Sequence, residues 1–164
     1  MFGPGFKGGA KSSHRRELET HRVRNTSLNR TDRTLILLDT SFLLTMLQQR
    51  REFHDELRNQ VSGLLRIATV DRVQYELQRL ARRGSSKTAG LAGIALDQLE
   101  RRKVEVLETI FGLPDVDTAI VAAALAERTP VAVATVDRQL RGVLLRHGIL
   151  TISPTKRHGL MTSR

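Results

Sequence analysis

Five short apolar stretches, spaced along the chain and separated by segments of helical periodicity, constrain this sequence more than any other feature. They are "LILL" at 35–38, "IATV" at 67–70, the alternating "KVEVLE" at 103–108, "VAVATV" at 131–136 and "ILTI" at 149–152. Runs this short suit strands buried on both faces. The intervening segments read as helices over about 40–49, 53–66, 71–83, 88–101, 114–127 and 137–147. In "DRVQYELQRLARRG" the residues Val73, Leu77, Leu80 and Ala81 share one helical face, and Gly84 is placed to stop the helix. "PDVDTAIVAAALAER" opens with Pro and Asp and is then so apolar that its helix must be largely buried. Strands alternating with helices imply an α/β fold with a mostly parallel sheet covered on both faces.

That architecture gives meaning to the acids, because open α/β sheets bind ligands at the carboxyl ends of their strands. Asp39 follows the first strand, in the middle of "RTLILLDTSFLL", where an unpaired buried charge is costly. Asp137 follows the fourth strand. Asp115 and Asp117 open the buried helix, and Glu76 flanks the apolar face of its own helix. Each aspartate alone can be a helix N-cap, and Glu76 alone can be a surface glutamate. Capping accounts for each acid singly but not for their shared placement in a chain carrying 27 Lys and Arg against 17 Asp and Glu, a net +10. Converging carboxylates repel unless cations lie between them, and oxygen-only donors suit Mg²⁺ or Mn²⁺. A basic protein with an acidic metal pocket is suited to cutting a polyanion.

The charge is uneven. Residues 1–33 carry eight basic side chains, among them Arg15, Arg16, Arg22, Arg24, Arg30 and Arg33, against three acids. With "MFGPGFKGGAKSS" at its start, this segment reads as a flexible basic arm that orders on an anionic partner, a nucleic acid or a membrane surface. Where that partner is RNA, these six arginines, with Arg138 and Arg141 just behind Asp137, are the candidates for contact. The folded domain is expected over 34–154, and "TKRHGLMTSR" at 155–164 as a shorter basic tail. The absence of cysteine excludes disulfides, zinc–thiolate sites and cysteine nucleophiles. Few aromatics argue against a base-stacking platform of the RRM or OB kind. The five histidines show no metal-ligand spacing, and no nucleophile-elbow or P-loop motif occurs. No apolar run reaches the eighteen or so residues of a membrane span, and no secretory leader is evident, so a cytoplasmic protein is expected.

The order "LLDTSFLL", "YELQRLA", "DVDTAIVAAALAE" and "ATVDRQLRGVLLRHGI" resembles the PIN-domain nucleases over about residues 34–152. The resemblance implies a three-layer α/β/α fold around a parallel sheet of about five strands, and metal-dependent cleavage of RNA. It assigns Asp39, Glu76, Asp117 and Asp137 as catalytic and metal-binding acids, with Asp115 as an additional ligand and Ser41 and Thr135 in support. One or two Mg²⁺ or Mn²⁺ ions are implied, and no motif acid is missing.

Two settings fit such a protein. The stretch at 70–108 looks closer to the Fcf-type small-subunit nuclease and its archaeal relatives, which favours pre-rRNA processing or ribosome maturation, with pre-rRNA or the small subunit as partner. The alternative is a VapC-type toxin ribonuclease neutralised by an antitoxin. A non-catalytic RNA-binding assembly factor would share the charge and fold, and would be favoured by loss of motif acids. A homodimer is expected from the resemblance alone.

Overall fold

The computed structural model describes residues 33–110 and 112–164. The chain runs β1 (Thr34–Leu38), α1 (Thr40–Gln48), α2 (Phe53–Gln60), β2 (Leu65–Val70), α3 (Asp71–Arg83), α4 (Ser86–Arg101), β3 (Glu105–Leu107), α5 (Val116–Ala126), β4 (Val131–Ala134), α6 (Arg138–Arg146), β5 (Leu150–Pro154) and β6 (Leu160–Ser163). The strands form one sheet in the order β3-β2-β1-β4-β5-β6, parallel except for β6. β1 lies inside it, and Leu35, Ile36, Leu37 and Leu38 are fully buried. Each such side chain contributes roughly 1.5–3 kcal/mol of transfer free energy, which is why this run is apolar without alternation.

The strand order positions the site. From β1 the chain builds outward through β2 and β3, then returns to lay β4 on the other side of β1 and β5 beyond it. The β1–β4 boundary is therefore a topological switch point, where connections leave in opposite directions and open a crevice at the carboxyl ends. Leu38 pairs with Ala134 at that end, and the Asp39 N–H donates to the Ala134 carbonyl at 3.0 Å. Helices flank the sheet: α3 packs against α4 and α5, and α5 against α6. Val73 and Leu77 of α3, and Ala119, Ile120 and Ala124 of α5, face the core.

Two segments differ from the sequence reading. The helix expected over 53–66 ends at Gln60, and β2 begins at Leu65. Val61 takes an extended backbone, which ends the helical run, and Gly63 follows in a turn with a positive φ of 102°. Leu64 stays 62% exposed while its carbonyl accepts from Thr34 N–H. The second difference is at the C-terminus, where part of the expected basic tail forms β6, antiparallel to β5. The sheet thus has six strands among the described residues. Arg51 holds the intervening turn: its guanidinium pairs with Glu56 and donates to the carbonyls of Thr155 at 3.3 Å and Gly159 at 2.7 Å.

Candidate active site

Asp39 sits where β1 gives way to α1 and is only 4% exposed. It occupies the N-cap position of α1, yet its side chain makes no capping bond. Its Oδ2 instead accepts from the hydroxyls of Ser41 and of Thr135, the latter at 2.7 Å. Burial raises its carboxyl above the usual aspartate value and the Glu76 charge adds to this, against the lowering effect of Ser41, Thr135 and the Thr40 N–H. The two hydroxyls also tie β1 to β4. Val136 N–H donates to Ser41 Oγ at 3.1 Å, and Asp137 N–H donates to Thr135 Oγ1 at 3.0 Å. The supporting positions expected at Ser41 and Thr135 are therefore in contact with the acid they were expected to support.

The other acids approach from three helices. Glu76, on α3, accepts from Thr40 Oγ1 at 2.6 Å, with an Arg79 nitrogen 3.9 Å away. Asp117 stands in the first turn of α5. Its carboxyl is pushed up to about 6, by partial burial first and then by the charges of Asp39, Asp137, Asp115 and Glu76. This one residue registers all four other acids. Asp115 caps α5, accepting from Thr118 N–H at 2.7 Å, and those bonds from Thr118 hold its carboxyl below the usual value. Asp137 caps α6, accepting from Gln139 and Leu140 N–H at 2.7 and 2.9 Å.

Capping thus describes Asp115 and Asp137, and does not describe Asp39, Glu76 or Asp117. Glu76, Asp115 and Asp117 line an open cavity of about 530 Å³ together with Arg72, Tyr75 and Arg79. Its donors are carboxylate oxygens, the ligand chemistry of hard divalent cations. The acids do not crowd to the spacing of a single preformed cage. Among the described residues, the metal-capable trio with ligand atoms within 4.8 Å of one another is Glu52, His54 and Asp55, which sequence spacing did not suggest. Glu52 there caps α2 through Asp55 N–H and pairs with Arg102 at 3.3 Å, so local roles account for it.

The expected RNA contacts are placed unevenly. Arg15, Arg16, Arg22, Arg24 and Arg30 lie outside the described residues. Arg33 is exposed at the start of β1, a strand's length (roughly 17 Å) from Asp39, so it does not border the acids. Arg138 is exposed in the first turn of α6, and Arg141 is half-buried one turn on, its Nε buried without a hydrogen-bond partner. Sequence reading missed Thr40, whose only signal is its place directly behind Asp39, and the cavity residues Arg72, Tyr75 and Arg79. The last three share the i, i+3, i+7 spacing of one helical stripe beside Glu76.

The chain's likenesses agree with this geometry. No curated protein matches it. Among solved structures it is similar to one titled "Structure of the PIN domain endonuclease Utp24", with a TM-score of 0.67 and 24% identity, covering 79% of this chain and 91% of that one. A second, PAE2754 from Pyrobaculum aerophilum, is more distant, with a TM-score of 0.43 and 19% identity over 76% of this chain and 96% of that one. The family model described as PIN domain matches residues 36–155, a span that runs from β1 through β5 and holds every acid described above. The chain therefore belongs to the PIN-domain family, whose members are generally metal-dependent nucleases.

Proposed function

We propose that this protein is a Mg²⁺- or Mn²⁺-dependent endoribonuclease that cleaves RNA phosphodiester bonds in pre-rRNA processing or ribosome maturation. The observation that carries this reading is the placement of Asp39, Glu76, Asp115 and Asp137 near enough to Asp117 for their charges to add to burial in raising its carboxyl, in a +10 chain. Such repulsion is an unfavourable arrangement for an empty pocket and a favourable one for cations.

Asp39, Glu76, Asp117 and Asp137 would hold one or two ions, with Asp115 contributing charge at the rim. The all-oxygen donor set fits Mg²⁺ or Mn²⁺. When bound, the metal supplies Lewis-acid stabilisation of phosphate charge and lowers the pKa of bound water. The protein's own residues orient and select. Ser41 and Thr135 fix one oxygen of Asp39, and Thr40 fixes Glu76, so both carboxylates are preorganised rather than free to rotate. The basic N-terminal segment attracts phosphates without reading sequence.

The pre-rRNA role rests on the resemblance of residues 70–108 to the archaeal relatives of the Fcf-type nuclease, and on the basic N-terminus. The test is to sequence the 5′ ends of RNAs bound in cells by wild type and by Asp39→Asn. Enrichment of one pre-rRNA junction is expected. Ends scattered over tRNA or mRNA would overturn the ribosomal role.

A further inference from the structure

The outer face of α3 carries more than Glu76. Val73 and Leu77 point into the core, which turns Arg72, Tyr75 and Arg79 outward along one stripe. Tyr75 is the chain's one tyrosine and is 66% exposed. A lone exposed aromatic needs no explanation, but this one has a counterpart. Ile110, 74% exposed, borders with it a second open cavity of about 490 Å³, whose floor is Asp71 and Thr109. That floor is built. Asp71, at the start of α3, accepts from Thr109 Oγ1 at 2.6 Å and from Thr109 N–H at 3.3 Å, which ties the residue before Ile110 to the helix. Arg72 and Tyr75 line both this cavity and the acid-lined one, so the two cavities are neighbours on the surface of α3.

We propose that the cleft between Tyr75 and Ile110 is a stacking subsite for one base of single-stranded RNA. The base belongs to a nucleotide neighbouring the bond that lies at the acids, and Arg72 holds the phosphate between them. This rests on the ribonuclease reading and adds a substrate class to it. The cleft has an aromatic face on one side, an aliphatic wall on the other and a cation where the backbone must pass, the combination that binds unpaired strands with little sequence preference. A duplex is excluded because its bases are stacked on one another and have no free face to offer. One tyrosine is not a stacking platform; it anchors a single nucleotide and so sets register at the site.

The test is equilibrium binding of a labelled short single-stranded RNA in EDTA, so that no cleavage occurs. Wild type, Tyr75→Phe and Tyr75→Ala are compared, with intact RNA and with RNAs carrying one abasic nucleotide at successive positions. Tyr75 is exposed, so neither substitution threatens folding. Tyr75→Ala is expected to weaken binding about fivefold or more, with Tyr75→Phe close to wild type. One abasic position is expected to erase the difference between wild type and Tyr75→Ala. Equal affinities for wild type and Tyr75→Ala, or an equal loss on intact and all abasic RNAs, would overturn the subsite even if wild type cleaves this RNA in Mg²⁺. Tyr75-dependent binding without any cleavage in Mg²⁺ would instead leave the subsite standing and sink the ribonuclease reading.

Discussion

Asp39 and Asp137 occupy the same position, the residue ahead of a helix, and do different things with it. Asp137 spends its carboxylate on the N–H groups of Gln139 and Leu140, while Asp39 turns away from α1 to the hydroxyls of Ser41 and Thr135. From sequence the two were indistinguishable as caps. What marked Asp39 was its apolar surroundings, and burial does dominate its shifted carboxyl. Asp117 was legible by its place at the start of the buried helix and in the family motif. Its raised carboxyl was not, since burial and the charges of Asp39, Asp137, Asp115 and Glu76 set it. The outward position of Tyr75 follows from the apolar face of α3 that the sequence marks. Its nearness to Ile110 was not legible, because that depends on how the segment after β3 meets the helix.

Asp117 also gives a signed prediction. Its carboxyl is raised from 3.8 to about 6, so between those values the folded state binds more protons than the unfolded chain. The contribution of Asp117 to metal-free stability is therefore fully present below the lower value and falls as pH rises through the window. Asp117→Asn should flatten that fall and raise the melting temperature in EDTA at pH about 7, while shrinking the stabilisation that Mn²⁺ gives wild type. Thermal denaturation across pH, with and without Mn²⁺, measures both. A lower melting temperature for the variant in EDTA would show that Asp117 is a structural acid.

At the scale of elements, the five short signals became β1 to β5, most plainly at β1, where burial on both faces writes itself into consecutive apolar residues. The edge strand β3 is largely exposed and showed only as an alternation. β6 escaped because only Leu160 of its four residues is buried. It is held by pairing with β5 and by Arg51, far away in sequence, and no local pattern encodes such a contact. Likewise α2 stops at Gln60 because Val61 takes an extended backbone while keeping its side chain buried, so the apolar spacing continues where the helix does not. Arg51→Ala removes bonds from a largely buried guanidinium to Glu56, Thr155 and Gly159. It should cost about 1–3 kcal/mol, read as a lower urea midpoint, with faster hydrogen exchange at 160–163. An unchanged midpoint would mean that β6 is held by the sheet alone.

For the whole molecule, topology and charge act together. Placing β4 beside β1 puts two strand ends, and the acids behind them, at one switch point. The helices α3 and α5 bring Glu76 and Asp117 close enough for their charges to interact, in a chain whose net charge is +10. The chain order of the acids was readable because the family motif spans the fold, and the match over 36–155 covers all of it. Their mutual positions were not readable, since no sequence interval encodes the distance between α3 and α5. The claim joining these features is that the acids cut and the basic surface holds. Its most direct measurement is the single-turnover rate of cleavage of a labelled single-stranded RNA at saturation in Mg²⁺, for wild type and Asp117→Asn. Loss of an outer partner of a metal ligand costs about 10–100-fold, so removing a ligand should slow cleavage by more than about a hundredfold, with RNA affinity largely kept. Cleavage by Asp117→Asn at the wild-type rate would contradict the assignment of these acids as the cutting site.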